Sequence, residues 1–174
     1  MTIVQKQCLL KFLGHYRGSI DGLWGSQSQK AAEAFCRAEN CGQEELEQAL
    51  KRAVSAWQQD AWTDVRYFTP EEFACRCGRF CDGHPAEVDR QLLRAADRVR
   101  ERLGVPCRVS SGLRCAKHNA AVGGVANSRH LTGKAMDFCA AGKTAGEVLA
   151  IAKSQPEIRY AYAIDGSYVH MDVE

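Results

Sequence analysis

Two histidines and one aspartate in the C-terminal half have the residue types and the spacing to hold a catalytic metal. His130 and Asp137 are separated by six residues, and His170 stands near the C-terminus. Imidazole nitrogens and a carboxylate oxygen are good zinc ligands, and a set of three leaves the fourth position open for water, as a catalytic ion requires. Zinc lowers the pKa of a bound water toward neutrality, so one catalytic Zn2+ is the cofactor expected. Taken singly the residues say little, because a lone histidine on a strand is more often a surface or hydrogen-bonded core residue.

The elements around these residues allow them to meet. Lys134 to Cys139 reads as a strand in which Met136 and Phe138 point one way and Ala135 and Asp137 the other. Ser167 to Val173 reads as a second strand. Its Val169, Met171 and Val173 share a core face, and Tyr168, His170 and Asp172 share the opposite one. If the two strands are neighbours, His130, Asp137 and His170 converge. Asp165-Gly166 between Ile158–Ile164 and Ser167–Val173 is a hairpin signal. Cys107 to Ser110 reads as a further short strand. Helices are expected from Thr69-Pro70-Glu71-Glu72, with Thr as cap and Pro first. They are also expected over 86–103, ended by Gly104, and over Thr144 to Lys153. The class is α+β with a central antiparallel sheet flanked by helices.

Residues 1–57 read as a separate, small three-helix domain. Val4, Cys8, Leu9 and Phe12 repeat at helical spacing, and Gly14 ends that helix. A glycine-rich loop, Gly18 to Gly25, follows. Ser26 is a plausible cap for a second helix with Ala31, Ala32, Phe35 and Cys36 inward. A third helix is expected from about Gln43 to Gln58. Residues 58–67 read as a linker and 68–174 as the chemical domain.

The 174 residues are 45% hydrophobic and 25% charged, with a net charge of +2. No dense Lys/Arg cluster suggests nucleic acid, and no apolar run approaches the roughly 20 residues of a membrane span. Met1 to Gln7 has no basic region followed by an apolar core, so no secretory signal is expected. Nine cysteines are many for this length. Cys75, Cys77 and Cys81 look like half a zinc site, but no matching second pair follows, so disulfides or inert thiols are the expectation.

The His130, Asp137 and His170 pattern resembles the D-alanyl-D-alanine carboxypeptidase group of zinc peptidases, which includes lysostaphin-like enzymes, murein endopeptidases and hedgehog signalling domains. Val109 to Cys115 looks like that group's serine-glycine-arginine segment, and His118 to Gly124 like the segment after it. Phe68 to Gly78 looks like its beginning, so the resemblance covers nearly all of 68–174. It implies His130, Asp137 and His170 as zinc ligands, and Arg114 facing the site to hold a substrate carboxylate or an oxyanion. Ser111 and Ser128 are the accompanying substrate-binding candidates. Relatives place a Glu three residues before the last ligand, or a His five before it; here those positions are Ser167 and Asp165. Asp165 is therefore the first candidate for general base, against the plain alternative of a turn aspartate. Asp172 is the second, as base or as a partner orienting a ligand imidazole. His118 and His84 are weaker candidates.

The front segment has its own resemblance. Gln7, Leu13-Gly14-His15-Tyr16, Asp21-Gly22-Leu23-Trp24-Gly25 and Ala31 to Phe35 are similar to the three-helix peptidoglycan-binding domain. Together the two resemblances imply a monomeric zinc metallopeptidase, a carboxypeptidase or an endolysin-type endopeptidase. It would act on bacterial cell-wall peptidoglycan, extracellularly or delivered by phage, with no nucleic-acid or membrane partner. The rival readings are a non-catalytic zinc-containing wall-binding module and a cysteine-led redox or zinc-ribbon protein.

Overall fold

The computed structural model describes residues 1–78, 80–81 and 88–174. Helices α1 (Ile3–Phe12), α2 (Ser26–Glu39) and α3 (Leu46–Trp62) come first, with a 3-10 turn at Gln43–Glu45 before α3. They enclose a core of Leu10, Phe12, Ala32, Phe35 and Leu50. Thr2 caps α1 through its side chain, and Gly25, not Ser26, occupies the cap position of α2. The loop between α1 and α2 is organised by Gln7, which is fully buried. Its amide nitrogen lies 2.9 Å from Asp21 Oδ1, 3.0 Å from the Leu23 carbonyl and 3.1 Å from Ser28 Oγ. Its amide oxygen accepts from the Gly22 N–H at 2.9 Å. The Gln7 amide, followed by the Leu23 N–H, holds the Asp21 carboxyl below its usual range.

Helix α3 runs further than its polar sequence suggests. Residues expected to begin a linker are helical as far as Trp62. The cause is burial: Ala61 is buried, and Trp62 packs edge-on against Phe73 with ring centroids 5.6 Å apart.

The remainder contains α4 (Pro70–Phe73), α5 (Arg90–Leu103), β1 (Cys107–Ser111), α6 (Ala116–Ala121), β2 (Ala135–Ala140), α7 (Ala145–Lys153), β3 (Ile158–Ala163) and β4 (Val169–Val173), with a 3-10 turn at Arg129–Thr132 before β2. The start of the helix expected over 86–103, and His84, lie outside the described residues. The strands form one sheet in the order β1-β2-β4-β3, and every neighbouring pair is antiparallel. Met136, Phe138, Val169, Met171 and Val173 point from one face into a core shared with Leu92, Leu93 and Val99 of α5 and Val148 of α7. The period of two then leaves Asp137, His170 and Asp172 on the other face.

Gly112 fixes how the loop after β1 lies on α4. A Cβ there would meet the Phe73 Cα and carbonyl oxygen at 2.6 Å, and the adjacent Leu113 N–H donates to that carbonyl at 2.8 Å. Only a glycine permits this approach of two backbones.

All nine cysteines are free thiols, so of the two expectations, disulfides or unpaired thiols, the chain shows the second. Cys36 lies beside Cys41, Cys107 and Cys139 sit on the adjacent strands β1 and β2, and Cys75, Cys77, Cys81 and Cys115 gather in one cluster beside Cys8. Burial pushes the Cys107 thiol up to about 11 and, with the nearby Cys115 and Cys75 sulfurs adding to it, the Cys8 thiol up to about 12.

Two outcomes test this account. Gly112→Ala should destabilise the protein by about 1–3 kcal/mol through overpacking against Phe73, read as a lower urea midpoint with an unchanged slope. Gln7→Leu should cost on the order of 1–3 kcal/mol by leaving buried partners unpaired, measured the same way. An unaltered midpoint would remove Gln7 from its place at the centre of the loop.

Candidate metal centre

His130 lies in the 3-10 turn Arg129–Thr132, Asp137 in the middle of β2, and His170 directly across from Asp137 in the β2–β4 register. All three are buried, at 2%, 8% and 8% exposure. One ligand atom from each lies within 4.8 Å of the others. Asp137 Oδ1 is 3.2 Å from His130 Nε2 and 2.7 Å from His170 Nδ1.

The orientation of each ring is set from behind. His130 Nδ1 lies 2.6 Å from the Gly112 carbonyl oxygen, which can only accept, so this nitrogen is a donor and Nε2 is the one that can give its lone pair to a metal. His170 Nε2 lies 3.3 Å from Asp172 Oδ2, which leaves Nδ1 as the inward-facing nitrogen. Fixing the far nitrogen of a ligand imidazole is how proteins set both tautomer and aim. Asp172 is itself held by Arg159, whose Nε donates to Oδ1 at 3.0 Å. Two aimed lone pairs and a carboxylate oxygen fit a small divalent cation that favours nitrogen and oxygen, as zinc does.

Asp137 is the electrostatic centre. Burial alone would raise its pKa, but the adjoining imidazoles of His130 and His170, when they carry their protons toward Oδ1, outweigh that and hold the carboxyl well below the usual range. Its outer oxygen, Oδ2, accepts from Arg114 Nη2. Arg114 is steadied in turn by Ser111, whose Oγ accepts from Nε at 2.7 Å, and its backbone N–H donates to the His130 carbonyl at 2.9 Å.

The three residues form part of the wall of a cavity of about 650 Å3, which Arg114, Ser128, Arg159, Tyr160, Tyr162 and Asp172 also line. Ser111 stands behind Arg114 and does not belong to that lining. Asp165 is not brought to the cavity. Its Oδ1 accepts from the N–H groups of Ser167 at 2.7 Å and Tyr168 at 2.8 Å, closing the β3–β4 turn. The turn occupies Oδ1 of the carboxylate expected first as base, and Asp165 is not among the residues that line the cavity. His118 also lies elsewhere, with Nδ1 3.4 Å from Cys75 Sγ.

Sequence reasoning missed the contribution of β3. Tyr162 pairs with His170 in the register and stacks on its ring, with centroids 4.9 Å apart and planes inclined by 29°. Burial first, and the Asp137 charge second, push the Tyr162 phenol up, so it remains a hydrogen-bond donor. The signal was available in the alternation Tyr160, Tyr162, Ile164 along a strand expected to pair with the one carrying His170.

A comparison with curated proteins finds no match. The model of the peptidase M15 family matches residues 66–172, which contain the whole of this centre. With a match over more than half of its length, the chain belongs to the peptidase M15 family, and it carries a candidate metal site of that family's metallopeptidase kind.

Proposed function

We propose that the chain is a zinc metallopeptidase that hydrolyses peptide bonds in the stem peptides of bacterial peptidoglycan. The observation that carries this reading is the convergence of His130 Nε2, Asp137 Oδ1 and His170 Nδ1 in the wall of an open cavity. Zinc bound there supplies Lewis acidity and activates water at neutral pH. Arg114 holds a substrate carboxylate or the oxyanion that develops at the attacked carbonyl, and the neutral Tyr162 phenol donates to the same region. Arg129 and Arg159 add positive charge to the wall, which suits peptides rich in carboxylates. Asp172 acts as a positioning residue through the His170 ring. Ser128, in the cavity lining, is a backbone-side contact for the peptide.

The substrate class rests on two resemblances. Carboxypeptidase and endopeptidase action share this kind of site, and the segment 1–57 resembles a wall-binding domain. Joining such a domain to a hydrolase raises the enzyme's local concentration on an insoluble polymer. The place of action that follows is the cell wall.

One observation favours a second reading, a zinc-containing wall-binding module without peptidase action. Among the described residues lining the cavity, the carboxylates are Asp137 and Asp172, and both are already paired. A hydrolase needs a group to take a proton from water and pass it to the leaving amine.

Purified peptidoglycan and defined stem peptides, analysed by mass spectrometry with zinc and then with chelator, separate the two readings. Hydrolysis is expected from the parent protein, lost with chelator, restored by zinc and absent in His130→Ala. Full zinc occupancy at the His130 site with no released peptide or amine would leave the binding module. Asp165→Ala should retain hydrolysis and lower stability by about 1 kcal/mol through its lost turn bonds; loss of turnover in a folded protein would return Asp165 to the role of base. Asp172→Asn should weaken zinc at this centre by roughly 10–100-fold, measured by competition with a chromophoric chelator.

A further inference from the structure

We propose that Cys75, Cys77, Cys81 and Cys115 form a second, structural zinc site of four thiolates, separate from the His130–Asp137–His170 centre. This inference does not depend on peptide hydrolysis.

The four Sγ atoms all lie within 4.8 Å of one another, and those of Cys77 and Cys81 are 3.2 Å apart. A zinc–sulfur bond of about 2.3 Å in a tetrahedron places sulfurs about 3.8 Å apart, so one ion can bond all four with small adjustments. Four protein ligands close the coordination sphere, which is the mark of a structural ion. The surroundings suit negatively charged sulfur. The Cys115 N–H donates to Cys75 Sγ at 3.2 Å, the Cys81 N–H to Cys77 Sγ at 3.2 Å, and the His118 N–H to Cys115 Sγ at 3.4 Å. Amides that donate to sulfur favour the thiolate over the thiol. Cys75, Cys81 and Cys115 are buried and Cys77 is half-buried. Four thiols left without metal would thus be crowded together out of water with their donors already in place.

Apart from its sulfurs, the segment is fastened by Arg76, whose Nη2 donates to the Val109 carbonyl at 2.9 Å, and by Phe80 beneath Lys117. Cys75 to Cys81 has no helix or strand among its described residues, and the cluster's apolar neighbours are Val4, Cys8, Ile20 and Phe80. A metal linking this stretch to Cys115 anchors it to the residue next to Arg114. That accounts for three cysteines in one short segment and a fourth 34 residues later.

Metal analysis of the intact, aerobically purified chain tests the proposal. The parent is expected to hold about two zinc ions, and His130→Ala about one, retained in the thiolate site. Titration of the parent with a mercurial that binds thiolates should release one zinc as four thiols react, without needing any variant to fold. Cobalt substituted into His130→Ala should give the intense sulfur-to-metal charge-transfer band of a tetrathiolate. Cys77→Ser should weaken that band, as one of four sulfurs is lost. One zinc in the parent, all of it lost in His130→Ala, would overturn the proposal. So would an intact mass lowered by disulfides among these four cysteines, or iron in place of zinc.

Discussion

A carboxylate buried in a strand must be compensated, and the C-terminal half of the chain is arranged around that requirement at Asp137. Strands disfavour aspartate, and burial of an unpaired charge is costly. Asp137 is compensated by His130 from the turn before β2, by His170 across the β2–β4 ladder, and by Arg114 from the loop after β1. None of these residues can be supplied by β2 itself. The β2–β4 register is therefore tightly specified, since a slip of one residue would exchange Met171 for His170 opposite Asp137 and turn the apolar set outward. The same geometry brings one nitrogen of each imidazole and one carboxylate oxygen to a common point, where a cation would take the place of the ring protons.

Much of this was legible because it depends on short-range periodicity. The alternation in 134–139 and 167–173 assigns faces, and the Asp-Gly turn ties β4 to β3, so the side that carries His170 follows from sequence. What periodicity cannot supply is the partner across space. The Gly112 carbonyl behind His130 and the guanidinium of Arg159 behind Asp172 are set by loop path and register. Asp165 illustrates the converse. Its position relative to His170 suggested chemistry, but an aspartate before glycine in a hairpin has two backbone N–H groups within immediate reach, and these local bonds form regardless of the site. The gathering of four cysteines is not legible in the sequence for a related reason. Ligand spacing was sought as two pairs, whereas the fourth sulfur comes from Cys115, brought to the other three when the loop after β1 packs on α4.

The end of α3 follows the same logic. Its sequence becomes polar past Trp57, yet the helix continues because Ala61 and Trp62 find apolar partners in the second half of the chain. Tertiary burial overrides weak local preference.

These contacts form a continuous mechanical path to the metal centre. Trp62 packs on Phe73, the Phe73 carbonyl accepts from Leu113, and Gly112 beside it holds His130 by its Nδ1. On a second side, Val4 and Cys8 of α1 pack on the sulfur cluster whose last member, Cys115, follows Arg114 in the chain. Two of the places where the N-terminal helices touch the second half of the chain therefore lie one or two residues from a group that positions Asp137. Rigid support of this kind is what a metal site needs, because its ligands must be held within a fraction of an ångström. The front segment thus contributes to the site's geometry through packing.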